Sequence, residues 1–268
     1  MSDLLSRSWQ KVNWGKLSAQ PNAVFLGSCF STEIAHRAKD YGWKVVSNPM
    51  GTLFQPLVIA DWIRESVGQS VIKWEEHCIQ HEDQVKCLMS GKLLNGNTKG
   101  EVLSKIHQVK EQLASTMENA ELLVVTFGTA YAWKYLPTGS WVGNCQRIQQ
   151  QDFQRELIPL ERLENYWKET VSIIRNRFPK LKIIFTVSPV RHEKLGVMEN
   201  ARSKAILLEL CHRLQELESV CYFPSYEWIT DELRDYAYYQ TDGCRPSDAA
   251  IDFVFQKWIQ TFQINEKI

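Results

Sequence analysis

Ala23-Val24-Phe25-Leu26-Gly27-Ser28-Cys29-Phe30 (residues 23–30) is the stretch that decides how the rest of the chain is read. Its first four residues are apolar without interruption, the pattern of a strand covered on both faces. Gly27 permits a sharp turn, and the stretch from Ser31 to Tyr41 has helical character. Strand, turn and helix in immediate succession open a βαβ fold, with Ser28 presented where the first strand ends.

The unit repeats outward. Trp43–Val46, Glu121–Thr126, Leu181–Val187 and Val220–Phe223 read as further strands, the middle two nearly continuous in apolar and β-branched residues. Helical stretches run over Leu57–Val67, Leu160–Phe178 (closed by Pro179), Glu199–Leu217 and Asp248–Phe262. In the third of these, Ile206, Leu207, Leu210, Leu214 and Leu217 fall at helical spacing. The alternation predicts a largely parallel sheet with right-handed crossovers. Gly68–Gly100 breaks the rhythm: it is polar and weakly periodic, and reads as an insertion, a pair of edge strands or a lid. With no repeat and no low-complexity linker, one domain over residues 1–268 is expected.

Composition narrows the function classes. Lys plus Arg and Asp plus Glu both number 31, so the chain carries no electrostatic footprint for nucleic acid or an anionic membrane. No apolar run reaches signal or membrane-spanning length. Seven cysteines are scattered without C-x-x-C spacing, which suits free thiols in a reducing, cytoplasmic setting. No motif calls for a cofactor or a metal. The ten tryptophans suit a core, with some left to line a pocket.

In an open parallel sheet, ligands sit beyond the carboxyl ends of the strands. The turns there are 27–30, 47–52, 127–130 with 143–145 beyond, 188–192 and 241–247, all polar or glycine-bearing. Ser28 at a helix start either attacks a carbonyl beside ready N–H donors or merely caps the helix. Cys29 offers a thiol nucleophile at the same helix start, its side chain expected to point away from that of Ser28.

Several segments together carry a family resemblance. They are F-L-G-S-C-F-S (25–31), N-P-M-G-T-L (48–53), T-F-G-T-A (126–130), N-C (144–145), S-P-V-R-H (188–192), S-K-A-I-L-L (203–208), Y-F-P-S-Y-E-W-I-T-D-E-L-R-D-Y (222–236) and D-G-C-R-P-S (242–247). In this order they resemble the GSCFA-domain family of the SGNH/GDSL hydrolase superfamily. The resemblance implies a flavodoxin-like, three-layer α/β/α sandwich with a five-stranded, mainly parallel sheet. It further implies Ser28 as nucleophile, Asp242 as triad acid, and an oxyanion hole made of the Ser28 N–H, Gly51 and Asn144, with Thr129 the rival of Asn144.

The chain departs from that pattern at one decisive place. Arg245 stands where the family has its histidine, and Gln146 where a second histidine is usual. A guanidinium stays protonated and has no acceptor lone pair, so it cannot activate a hydroxyl. Of the six histidines, His192 alone lies on the expected active edge, either as a replacement base or as a structural or substrate-contacting group. Two functions follow as expectations. The first is an ester hydrolase or acyl-transfer domain, acting for instance on a carbohydrate O-acyl group. The second is a catalytically inactive member that binds an anionic ligand or a protein partner, with Arg191 and Arg245 as the clamp. The oligomeric state is not legible.

Overall fold

The computed structural model describes residues 17–69, 72–192 and 196–262. In chain order the elements are β1 (Asn22–Gly27), α1 (Cys29–Asp40), β2 (Lys44–Ser47), α2 (Pro56–Ser66), β3 (Cys78–His81), β4 (Gln84–Cys87), α3 (Lys99–Asn119) and β5 (Leu122–Phe127). There follow β6 (Tyr131–Tyr135), β7 (Ser140–Val142), β8 (Phe153–Leu157), α4 (Leu160–Arg177), β9 (Lys182–Val187), α5 (Val197–Leu214), β10 (Val220–Tyr222), the single turn α6 (Ser225–Glu227) and α7 (Asp248–Thr261). The central sheet has the order β10-β9-β5-β1-β2, and every pairing in it is parallel.

Alternation along the strands builds the three layers. Val24 and Leu26 of β1, Leu123 and Val125 of β5, and Ile183 and Phe185 of β9 enter one buried cluster with α2, α3, α4 and α5. Ala23, Phe25, Leu122, Val124 and Ile184 point the other way, into a second cluster with α1 and α7. The continuous apolar runs are therefore strands buried on both faces, and the protein is an α/β/α sandwich.

Two features were not read from the sequence. Helix α3 carries a buried stripe of Val102, Ile106, Val109, Leu113 and Met117. That spacing is helical, but the polar stretch before it hid its start at Thr98, whose side chain accepts the Glu101 N–H. The second feature is an antiparallel sheet, order β7-β6-β8, built from residues 131–157. Within the irregular stretch, β3 and β4 form an antiparallel hairpin, a two-stranded sheet of its own. Its sequel docks on the core, with Trp62 Nε1 donating to the Met89 carbonyl at 2.6 Å.

Gly27 ends β1 at φ +124°, and a Cβ there would lie 2.1 Å from the Thr126 carbonyl oxygen. No side chain fits between β1 and β5 at that point, which is why the active-edge turn opens with glycine.

Candidate active site

The turn after β1 is held by backbone bonds. Ser28 N–H donates to the Thr126 carbonyl at 3.1 Å, and Gly51 N–H donates to the Asn48 carbonyl at 2.7 Å. The two amides expected in an oxyanion hole are thus engaged within the fold. Asn48 ties the first two turns together: its Oδ1 accepts the Gly27 N–H at 2.7 Å and its Nδ2 donates to Thr32 Oγ1 at 2.9 Å. Ser28 occupies the N-cap position of α1 without making a side-chain cap bond. It is 1% exposed, and its Oγ is buried without a hydrogen-bond partner.

A cavity of about 620 Å³ opens at the carboxyl edge of the sheet, lined by Cys29, Gln55, Thr129, Asn144, His192, Arg191 and Arg245 together with aromatic rings. The wall at the start of α1 is Cys29, and Ser28 is not part of it. Gly51 lines a neighbouring cavity that shares Phe54 and Asn144 with the first. Four of the five polar turns therefore meet in one place, as the sheet topology requires, while Ser28 and Gly51 stand just outside it.

The amide side chains of the wall differ in what they leave free. Gln55 caps α2, its Oε1 accepting the Leu57 N–H at 2.8 Å. It is 4% exposed, and its Nε2 has no partner. Asn144 uses its Oδ1 on the Gln146 N–H at 2.8 Å. Thr129 is more fully committed: its N–H donates to the Phe54 carbonyl, and its Oγ1 lies 3.0 Å from Ser203 Oγ.

His192 Nε2 lies 3.2 Å from the Gly128 carbonyl oxygen, which can only accept, so that nitrogen carries the proton. Burial, aided by the charge of Lys204, pushes the imidazole down to about 4 and keeps it neutral. Lys204 itself is 1% exposed and donates to the Gly128 and Ser188 carbonyls at 2.7 and 2.6 Å. Burial lowers its ammonium to about 7. Within the segment 203–208 the signal for this role is a lysine set among the apolar residues of a core helix.

Asp242 is spent on Arg245. Its Oδ2 accepts from Arg245 Nε at 2.7 Å, while its Oδ1 accepts the backbone N–H groups of Cys244 and Arg245 at 2.9 and 3.0 Å. These bonds, led by the Arg245 N–H, hold the carboxyl at about 2. Arg191 stacks over the rings of Tyr239 and Tyr236, at 4.2 and 4.7 Å. Arg155, also on the wall, lies over Tyr131 and Trp133. Three guanidinium groups line the cavity, and no carboxylate does among the described residues.

The family model described as the GSCFA family matches residues 22–258. No curated protein matches the chain. A solved structure of a Streptococcus pneumonia protein, provisionally described as a platelet activating factor, is 12% identical, with a TM-score of 0.45 over 91% of this chain and 84% of that one. A second structure is 18% identical over 55% of this chain and 66% of that one, with a TM-score of 0.31. Likenesses this distant decide nothing about the site. Among the described residues, no helix is long and apolar enough to cross a membrane.

Proposed function

The chain belongs to the GSCFA family, and on that premise we propose that it binds a small ligand bearing a carboxylate or phosphate in the cleft at the carboxyl edge of its sheet. One observation carries this reading: Arg155, Arg191 and Arg245 line the cavity with no carboxylate among them. Guanidinium groups bind such anions by paired, charge-assisted hydrogen bonds. Two of the three are already braced by aromatic stacking and the third by Asp242, so little side-chain freedom is lost on binding. The aromatic rings of Phe54, Tyr131 and Trp133 supply an apolar wall for the rest of the ligand.

The test is isothermal titration calorimetry with matched pairs of anionic and neutral acyl compounds. The anionic member of each pair binds more tightly, and Arg191→Ala or Arg245→Ala weakens it roughly tenfold or more, the loss of one charge-assisted bond. Equal binding of both members, or variants that bind as the wild type does, overturns the reading.

A second reading, a serine ester hydrolase of SGNH type, rests on the Ser28 hydroxyl, buried at the start of α1 with no partner spending it. Against it stands the pairing of Asp242 with Arg245, which puts a guanidinium where a triad needs an imidazole. A fluorophosphonate probe decides: covalent labelling of Ser28 supports the hydrolase, and an unlabelled serine removes it.

A further inference from the structure

We propose that Cys29 is the nucleophile of this cleft and takes an acyl group from an anionic ester. The substrate charge rests on the anion-binding reading above; the nucleophile rests on separate geometry.

The turn after β1 offers two candidate nucleophiles, and the cavity distinguishes them. Ser28 is 1% exposed and absent from the wall, whereas Cys29 is half-buried and lines it. The second observation is Gln55. The residue is 4% exposed, it lines the same cavity, and its Nε2 is buried with no hydrogen-bond partner. Because Oε1 is fixed on the Leu57 N–H, the unspent end of that amide is a donor. A buried donor left unpaired costs free energy that a ligand oxygen recovers. On the wall that also carries the thiol, such a donor suits the oxygen of a carbonyl that gains charge on attack.

The chemistry agrees with the substitution at 245. A serine hydroxyl needs a base, and an arginine in place of the histidine removes it. A thiol is intrinsically more nucleophilic and ionises without a triad. Burial raises the Cys29 thiol above its ordinary value and Glu33 adds to that, while the N–H groups of Phe30 and Cys29 and the charge of Arg245 work against the rise. Arg245, which cannot serve a serine as its base, thus offsets part of the rise that burial imposes on the thiol.

In the step, the sulfur–carbonyl bond forms and the ester carbon–oxygen bond breaks. The departing alcohol carries away the thiol proton, leaving a thioester on Cys29. Water then adds to the thioester, the carbon–sulfur bond breaks, and the carboxylic acid and free thiol are restored. No oxidant or reductant enters.

The experiment uses the full chain with p-nitrophenyl hydrogen succinate and its neutral counterpart p-nitrophenyl acetate. Nitrophenolate release is followed, and the acyl adduct is mapped by peptide mass spectrometry. The expected result is a hydroxylamine-labile adduct on Cys29, formed roughly tenfold faster from the anionic reagent. Cys29→Ser lowers the rate about a hundredfold or more. Because the mapping is done on the wild type, it stands even if that variant folds poorly. An adduct on Ser28, on the other lining thiols Cys145 or Cys244, or nowhere, overturns the proposal. Acylation of Cys29 at equal rates by both reagents overturns the anionic substrate and leaves the nucleophile standing.

Discussion

At position 245 a guanidinium stands where the family resemblance implies an imidazole, and the consequences stay within a few residues. Arg245 draws both oxygens of Asp242 into its own turn, where the carboxylate already accepts three hydrogen bonds and pairs with a cation instead of an imidazole. His192, the one histidine on the cleft, is bound to the Gly128 carbonyl through Nε2 and stays neutral. That neutrality has a pH signature. Folded His192 titrates at about 4 and the ordinary value is 6.5, so between these limits the unfolded chain binds a proton that the folded chain does not. Stability is therefore lost as pH falls from 6.5 through 4. In urea unfolding across that window, wild type loses about 2 kcal/mol more than His192→Gln, after allowing for the partial exposure of the ring. Parallel curves for the two proteins refute this account of His192.

Among the elements, the positions of α1 and β2 depend on one side chain between them. Asn48 sits at φ 43°, a left-handed conformation that asparagine tolerates better than most residues. From there its amide reaches back to the Gly27 N–H and to Thr32 on α1. Asn48→Ala leaves a buried N–H without its acceptor and places alanine in a strained conformation, so it costs about 2–4 kcal/mol. Chemical denaturation measures the loss. Because the same bonds set the β1–α1 turn, thiol-reagent kinetics at Cys29 change in the variant even where it remains folded; unchanged stability shows the link to be dispensable. Element by element, legibility followed locality. The strands β1, β5 and β9 were readable because burial on both faces leaves nearly unbroken apolar runs, whereas β2, with Lys44 exposed, shows only a short β-branched pair. The antiparallel sheet of β6, β7 and β8 was not, since Tyr131-Ala132-Trp133-Lys134-Tyr135 is only a mixed aromatic stretch until Trp133 meets Val142 and Arg155 across the sheet.

For the whole molecule, the alternation of the five sheet strands with α1, α2, α4, α5 and α7, the burial of the central strands and the absent histidine were all written in the sequence. Each depends on residue type and near-neighbour spacing, and periodicity carries that information. The sequence also brought out the polar turns of the active edge, because parallel strands put their carboxyl ends together. Which side chain of Ser28 and Cys29 looks into the cleft was decided only by tertiary structure. Neighbouring residues at a helix start point in directions roughly 100° apart, and the sequence does not say which direction faces the cavity. The packing of α1 against α7, together with the arrival of Gln55, His192 and Arg245 from distant parts of the chain, puts Cys29 on the wall and buries Ser28 behind it. That a thiol, and not the neighbouring hydroxyl, lines the cleft is therefore a property of the folded molecule.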